Sequence, residues 1–261
     1  MKNFLTLSVL VLILCSCSSD DDTNSDNATT SYYSLEIGDQ WSYDVRVDDN
    51  ASSTDNLEIT SEQTIQNNTY STFTASPESS GFMTRLLENG ALRETNGKLF
   101  YTGIIDVQSI LGVDFDIPVE DVIIYDVNAS DGGVLSEVNE EVTQTVNGVP
   151  VTFELMLQTT QGPSLTNTTI GGLSFENTLQ SSFLVTARAF TSFLGAEIPI
   201  IERQDILFSS NIYGENIGLL QSSSSFMTNF EDLSDLGINA PLTDIDFTVT
   251  QTITDYTVAS D

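Results

Sequence analysis

The sequence has no histidine, two cysteines, one tryptophan and seven basic residues against 38 acidic ones. Both cysteines, Cys15 and Cys17, fall in the leader, and Lys98 is the one lysine beyond it. Without histidine or a domain thiol, neither a Ser-His-Asp nor a Cys-His site can be assembled. The ligands of a usual zinc centre are missing as well. Schiff-base chemistry is confined to Lys98, and no cofactor or resident metal is expected. No disulfide can brace the domain, although it is expected to lie outside the reducing cytoplasm. The net charge of −31 argues against nucleic acid, whose phosphates need basic contacts, and against adsorption to anionic lipid.

Lys2 precedes an apolar run, Phe4 to Leu14, interrupted by Thr6 and Ser8. Spanning a bilayer takes about 20 apolar residues, so this run reads as a secretory signal. It ends at Leu14-Cys15-Ser16-Cys17, which resembles a bacterial lipobox. The resemblance implies cleavage before Cys17 and acylation of its sulfur and new amine. Cys15 lacks the small residue before it that the cut needs. Each buried methylene adds about 0.8 kcal/mol to membrane binding, so two or more chains anchor durably. Ser18-Ser19-Asp20-Asp21-Asp22 then resembles the acidic export signal of Bacteroidetes-type surface lipoproteins. That resemblance implies display on the outer face of the outer membrane. Expected boundaries are a signal peptide at 1–16, a lipidated, disordered tether at 17–31, and one domain at 32–261. The tether has no large apolar residue to bury and as a flexible coil reaches about 20 Å.

From Tyr33 onward apolar and polar residues alternate, the mark of half-buried strands. Tyr33, Leu35 and Ile37 lead through a Gly38-Asp39 turn to Trp41, Tyr43, Val45 and Val47. Leu57 to Ile65 and Thr69 to Ala75 flank an Asn67-Asn68 turn. Asn89-Gly90 and Asn96-Gly97 predict two tight hairpins joining Phe82–Glu88, Ala91–Thr95 and Lys98–Thr102 into a meander. Asn147-Gly148 joins Val138–Val146 to Val149–Gln158. Further strands are predicted at Ser181–Phe190, Gln204–Tyr213, Gly218–Phe226 and Ile245–Val258, the last with a threonine face suited to water. Gly103 to Leu111 reads as a strap or short helix, and Ser225 to Gly237 as a loop with at most a helical turn. The fold class is all-β and mainly antiparallel, a curved sheet or half-barrel with at most one or two short helices.

Two segments carry a further resemblance. Tyr33-Ser34-Leu35-Glu36-Ile37-Gly38-Asp39-Gln40-Trp41-Ser42-Tyr43 is similar to the Y-P-L-x-x-G-x-x-W-x-Y opening of many bacterial lipoproteins. Tyr213-Gly214-Glu215-Asn216-Ile217-Gly218-Leu219-Leu220 is similar to their Y-A-x-G-V-G-L-V segment. Ser34 replaces the usual proline, and Asn216 stands where glycine is usual, a position that asparagine's tolerance of left-handed backbone suits. The resemblance implies a LolA/LolB-like half-barrel wrapped around an apolar cavity; fold alone does not carry activity.

Candidate sites are sparse. Asp114, Asp116, Glu120 and Asp121 offer oxygen ligands of the kind Ca²⁺ prefers, without EF-hand spacing. Asp244 and Asp246 read as a strand start, and Glu140-Glu141 point to opposite faces. Gly172-Leu173-Ser174-Phe175-Glu176 lacks both the second glycine of a nucleophile elbow and a base for Ser174. Tyr32, Tyr33, Trp41, Tyr43, Phe100, Tyr101, Phe115 and Phe153 fall on apolar phases and read as core. Three functions stay open: a membrane-anchored, non-enzymatic binding module for an apolar or glycan ligand, a carboxylate-dependent glycan hydrolase, and a structural or adhesive surface protein. A filled core favours the third, an apolar tunnel the first, and two facing carboxylates the second.

Overall fold

A computed structural model describes residues 30–48, 50, 52–106, 116–146, 148–193, 195–232 and 243–259. Twelve strands and one helix follow in chain order: β1 (Gln40–Val47), β2 (Ser53–Ile65), β3 (Asn68–Ser76), α1 (Phe82–Glu88), β4 (Gly90–Thr95), β5 (Lys98–Asp106), β6 (Asp116–Asp126), β7 (Val134–Val146), β8 (Val149–Ile170), β9 (Leu173–Phe193), β10 (Ala196–Gly214), β11 (Gly218–Thr228) and β12 (Ile245–Thr257). The fold is all-β, as expected. Its strands form a single sheet in the order β6-β5-β4-β3-β2-β1-β12-β11-β10-β9-β8-β7. Every ladder is antiparallel.

The first and last strands pair at the middle of the sheet, and the two meanders curl round until β6 meets β7 and β8. Side chains seal this seam. The Ser136 hydroxyl accepts from Ile123 N at 2.9 Å, and Thr159 Oγ1 donates to Ile123 O at 2.6 Å. Gln161 accepts from Asp126 N at 3.0 Å. The seam lies where Gly162-Pro163 breaks the β8–β9 register between Gln161 and Ser164, a place where proline costs no ladder bond. The result is a nearly closed barrel.

Alternation decides what faces inward. Trp41, Tyr43 and Val45 of β1, Val151 to Leu157 on alternate positions of β8, and Val249 and Ile253 of β12 are all buried. Each such side chain contributes about 1.5–3 kcal/mol over leaving it in water. Many outward positions are threonines, serines and acids, with Val134, Leu165, Phe208 and Met227 as scattered exposed apolar exceptions, unlike the continuous apolar outer band of a membrane barrel. Among the described residues, large buried side chains such as Trp41, Tyr43, Tyr101, Tyr125 and Tyr213 crowd the interior. A space of about 10 Å³ remains beside Tyr33, Met83, Leu99 and Tyr213.

Several expectations are corrected. Phe82–Glu88 is not the first strand of a meander but helix α1. Met83, Leu86 and Leu87 are buried at helical spacing, and most residues of the segment are strong helix formers. Asn89 caps the helix at φ −91°, whereas Asn96 and Gly97 both take positive φ and make the predicted hairpin. β4 therefore pairs with β3, and α1 is their connection. The turn between β2 and β3 sits at Gln66-Asn67, one residue earlier than expected. Tyr33 to Ile37 is not a strand but an irregular segment across one end of the barrel, so Ile37 is 60% exposed. β6 takes up a segment assigned to no strand. β5 runs on to Asp106, and β11 continues to Thr228 without a helical turn. Residues 229–232 of the expected loop are irregular, and its remainder, the strap beyond Asp106, Asn147 and Phe115 lie outside the described residues.

Candidate binding cleft

The two ends of the barrel are closed differently. At one end the segment from Ser31 to Asp39 folds inward. Trp41 Nε1 donates to Ile217 O at 2.9 Å, the Tyr43 hydroxyl to Leu219 O at 3.0 Å, and Asn216 N to Ser31 O at 2.9 Å. The two motifs that resemble lipoprotein sequences are thus packed on each other. Asn216 takes φ 54°, the left-handed geometry expected for it. A Cβ on Gly218 would come within 3.2 Å of the Trp41 and Tyr33 rings. Around them Tyr33 sits edge-on to Trp41 at 5.5 Å, and Tyr125 lies 5.4 Å from Tyr213.

Outside this plug an open groove of about 690 Å³ is bordered by Glu36, Glu94 and Glu215. Burial raises the Glu94 carboxyl above the ordinary range, against hydrogen bonds from Ser31 and Tyr125 that lower it. Ser31 Oγ donates to Glu94 at 2.5 Å.

At the other end α1 sits in the barrel mouth. Asp55, fully buried, accepts from Ser80 N at 3.0 Å and Gly81 N at 2.8 Å, fixing the chain as it enters the helix. Gln251, also fully buried, accepts from Met83 N at 2.7 Å and donates to Thr84 Oγ1 at 2.5 Å. Pinned from two strands, α1 leaves an open cleft of about 170 Å³ along one side. Phe82, Leu86, Phe226, Phe247 and Val249 form its apolar wall. Phe226 and Phe247 stack at 4.7 Å and 15°, and Phe82 meets Phe226 edge-on at 5.7 Å. The rim carries two exposed apolar side chains, Val47 and Ile104.

Two charged residues border this cleft, Arg85 and Asp106. Arg46, Arg93, Lys98, Arg188 and Arg203 all lie within 3.1 Å of a carboxylate. Among the described residues Arg85 is the one basic side chain without an ion pair. In a protein with 38 acids and seven bases, a half-buried arginine without an ion pair, lining an apolar cleft, is a feature that composition does not predict.

The sites read from the sequence fare unevenly. Cys17, Ser18, Ser19, Asp20, Asp21, Asp22 and Asp114 lie outside the described residues. Asp116 and Glu120 are exposed on β6. Asp121 turns away to Arg93, whose NH2 group lies 2.9 Å from its carboxylate, and to the Tyr70 hydroxyl. Burial pushes the Asp121 carboxyl up, but these two partners outweigh it and hold it below the usual range. Among the described residues no group of three or more acids is placed to hold a cation. Tyr32, Tyr33, Trp41, Tyr43, Tyr101 and Phe153 are core. Phe100 instead lies beneath Arg93, 3.9 Å from its guanidinium carbon. The cleft was missed because α1 was read as a strand.

The class defined by these features is an antiparallel β-barrel plugged at both ends, with a small apolar cleft at the helix end. No family model matches the chain, and no curated protein matches it. In structure it is similar to a protein taken to be exported, of YmcC-like fold, from Bacteroides fragilis, at a TM-score of 0.40 and 8% identity. That likeness covers 86% of this chain and 98% of the other.

Proposed function

We propose that this protein is a Cys17-anchored outer-membrane lipoprotein of the Bacteroidetes kind, facing the cell exterior, whose barrel is a non-enzymatic binding module. Its barrel is allied in outline to the LolA/LolB-like lipoproteins, with side chains occupying what would be their cavity. The observation that supports binding is the cleft beside α1, where the half-buried Phe82 and Phe247 and the unpaired Arg85 border an open space of about 170 Å³.

Geometry supports the orientation. Trp41 and its partner Tyr256 stand at the end where the tether enters. Val47 and its partner Val249 stand at the cleft. Eight residues of β1 put roughly 25 Å between those ends. A domain hung from Cys17 through residues 18–30 therefore offers its cleft away from the membrane. The acidic surface disfavours nucleic acid as a partner.

Cys17→Ala should move a folded protein from the membrane fraction to the soluble one. In the unsubstituted strain, protease added to intact cells should remove the domain. Retention of Cys17→Ala in the membrane overturns the anchor, and full protection from protease overturns surface display.

A further inference from the structure

We infer that the cleft beside α1 is a site for a small aromatic carboxylate, with Arg85 as its anion-binding residue; this deepens the binding-module reading and rests on it. Three observations at this cleft converge. The first is size. The cleft measures about 170 Å³, and an apolar protein cavity of about 150 Å³ takes up benzene. One ring fits, while a long acyl chain would need the barrel interior, which side chains occupy.

The second is the wall. Phe82 from α1 and Phe247 from β12 are half-buried and border the opening, packed edge-on and stacked at 5.7 and 4.7 Å on the buried Phe226 of β11. An added ring gains offset or edge-to-face contacts there.

The third is charge. Arg85 borders the same cleft without an ion pair among the described residues. Its planar guanidinium presents paired donors that match a carboxylate. Asp106, also at the cleft, has an interaction of its own and repels an anion that strays from the arginine side. A monoanion held at one edge and a ring at the other is the ligand class that satisfies all three. Arg85 also lies in the last turn of α1, where a cation complements the carbonyl end of a helix. That structural role alone would not discriminate between ligands of different charge.

The test uses 4-fluorophenylacetate and its neutral isostere 4-fluorophenylacetamide, titrated against the full chain and followed by fluorine NMR. The acetate should bind saturably and at least about tenfold more tightly than the amide, the range of a charge-assisted hydrogen-bonded pair. Arg85→Gln should abolish that preference while leaving the amide within about twofold, and Arg85→Lys should restore part of it. Unchanged circular dichroism will show that each variant folds. Equal binding of the two probes, or a preference that survives Arg85→Gln, overturns the assignment while leaving a neutral-ligand cleft and the binding module intact. If neither probe binds saturably, the cleft fails as a binding site and the module reading falls with it.

Discussion

Gln251 shows how one polar side chain can hold an element in place. It lies between Val249 and Ile253 on the inward face of β12 and is completely buried. Its amide is spent on α1, accepting from Met83 N and donating to Thr84 Oγ1. A Cβ at Gly81 would fall 2.1 Å from Gln251 Cδ, so the helix is entered over this side chain with no room to spare. Gln251→Leu keeps the volume but strands the Met83 N–H and the Thr84 hydroxyl in an apolar site. An unsatisfied buried group costs about 1–3 kcal/mol, so a loss of about 2–4 kcal/mol is expected in urea unfolding; a loss under 1 kcal/mol would mean that α1 is not held from β12. The threonine face of this strand was legible, because alternation alone sorts water-facing positions. The role of Gln251 was not, because its partners lie more than 160 residues away in sequence and a glutamine on an apolar phase carries no mark of what it will bond. The same holds for Ser209, Ser222 and Ser224, which read as strand residues but are hydrogen-bonded together inside the barrel at 2.8–3.2 Å.

At the scale of elements, local signals were trustworthy where the backbone itself demanded them. Asn96-Gly97 makes its hairpin because both residues take positive φ, and Gly171-Gly172, with φ of 59° and 84°, closes β8 on β9 in the same way. Asn89-Gly90 looked identical in sequence and ends a helix instead; the buried spacing of Met83, Leu86 and Leu87 outweighed the turn signal. Closure was beyond reach of local reading. No ladder joins β6 to β7 among the described residues, and the seam depends on Gln161, which also donates to the Gly162 and Gln180 carbonyls at 3.0 and 3.2 Å. Gln161→Leu deprives Asp126 N of its acceptor and should cost about 1–3 kcal/mol. Hydrogen exchange should quicken selectively at Ile123 to Asp126, while the β1–β12 ladder keeps its protection. Uniform quickening across the barrel would show instead that the seam has no local stability of its own.

The whole molecule is governed by an excess of negative charge that its few bases do not offset. Self-repulsion at a net −31 works against compactness, and the cost concentrates where an acid is also desolvated. Glu94 is one such place: burial raises its carboxyl, and Glu36 and Glu215 border the same groove. A raised folded-state value means that protonated Glu94 is the form the fold prefers. Its contribution is fully present below the unfolded glutamate range of about 4.3 and is lost as pH rises through the folded value. Asp121 and Asp126 run the other way. Their carboxyls are pushed up by burial, but Arg93 and Tyr70, and Asn128 and Lys98, outweigh it. Their contributions are present above the unfolded aspartate value and vanish as pH falls through the folded one. Glu94→Gln imitates the protonated form and keeps an acceptor for Ser31. It should therefore melt higher than the unsubstituted protein at pH 7.5 and close to it at pH 4. In about 10 mM salt, where charges interact over about 30 Å, that gap should be widest. In 0.5 M salt the part due to distant acids is screened away and the part due to burial remains. Melting curves in the four conditions separate the two contributions; a gap with no dependence on pH would mean that Glu94 is not charged at a cost in the folded protein.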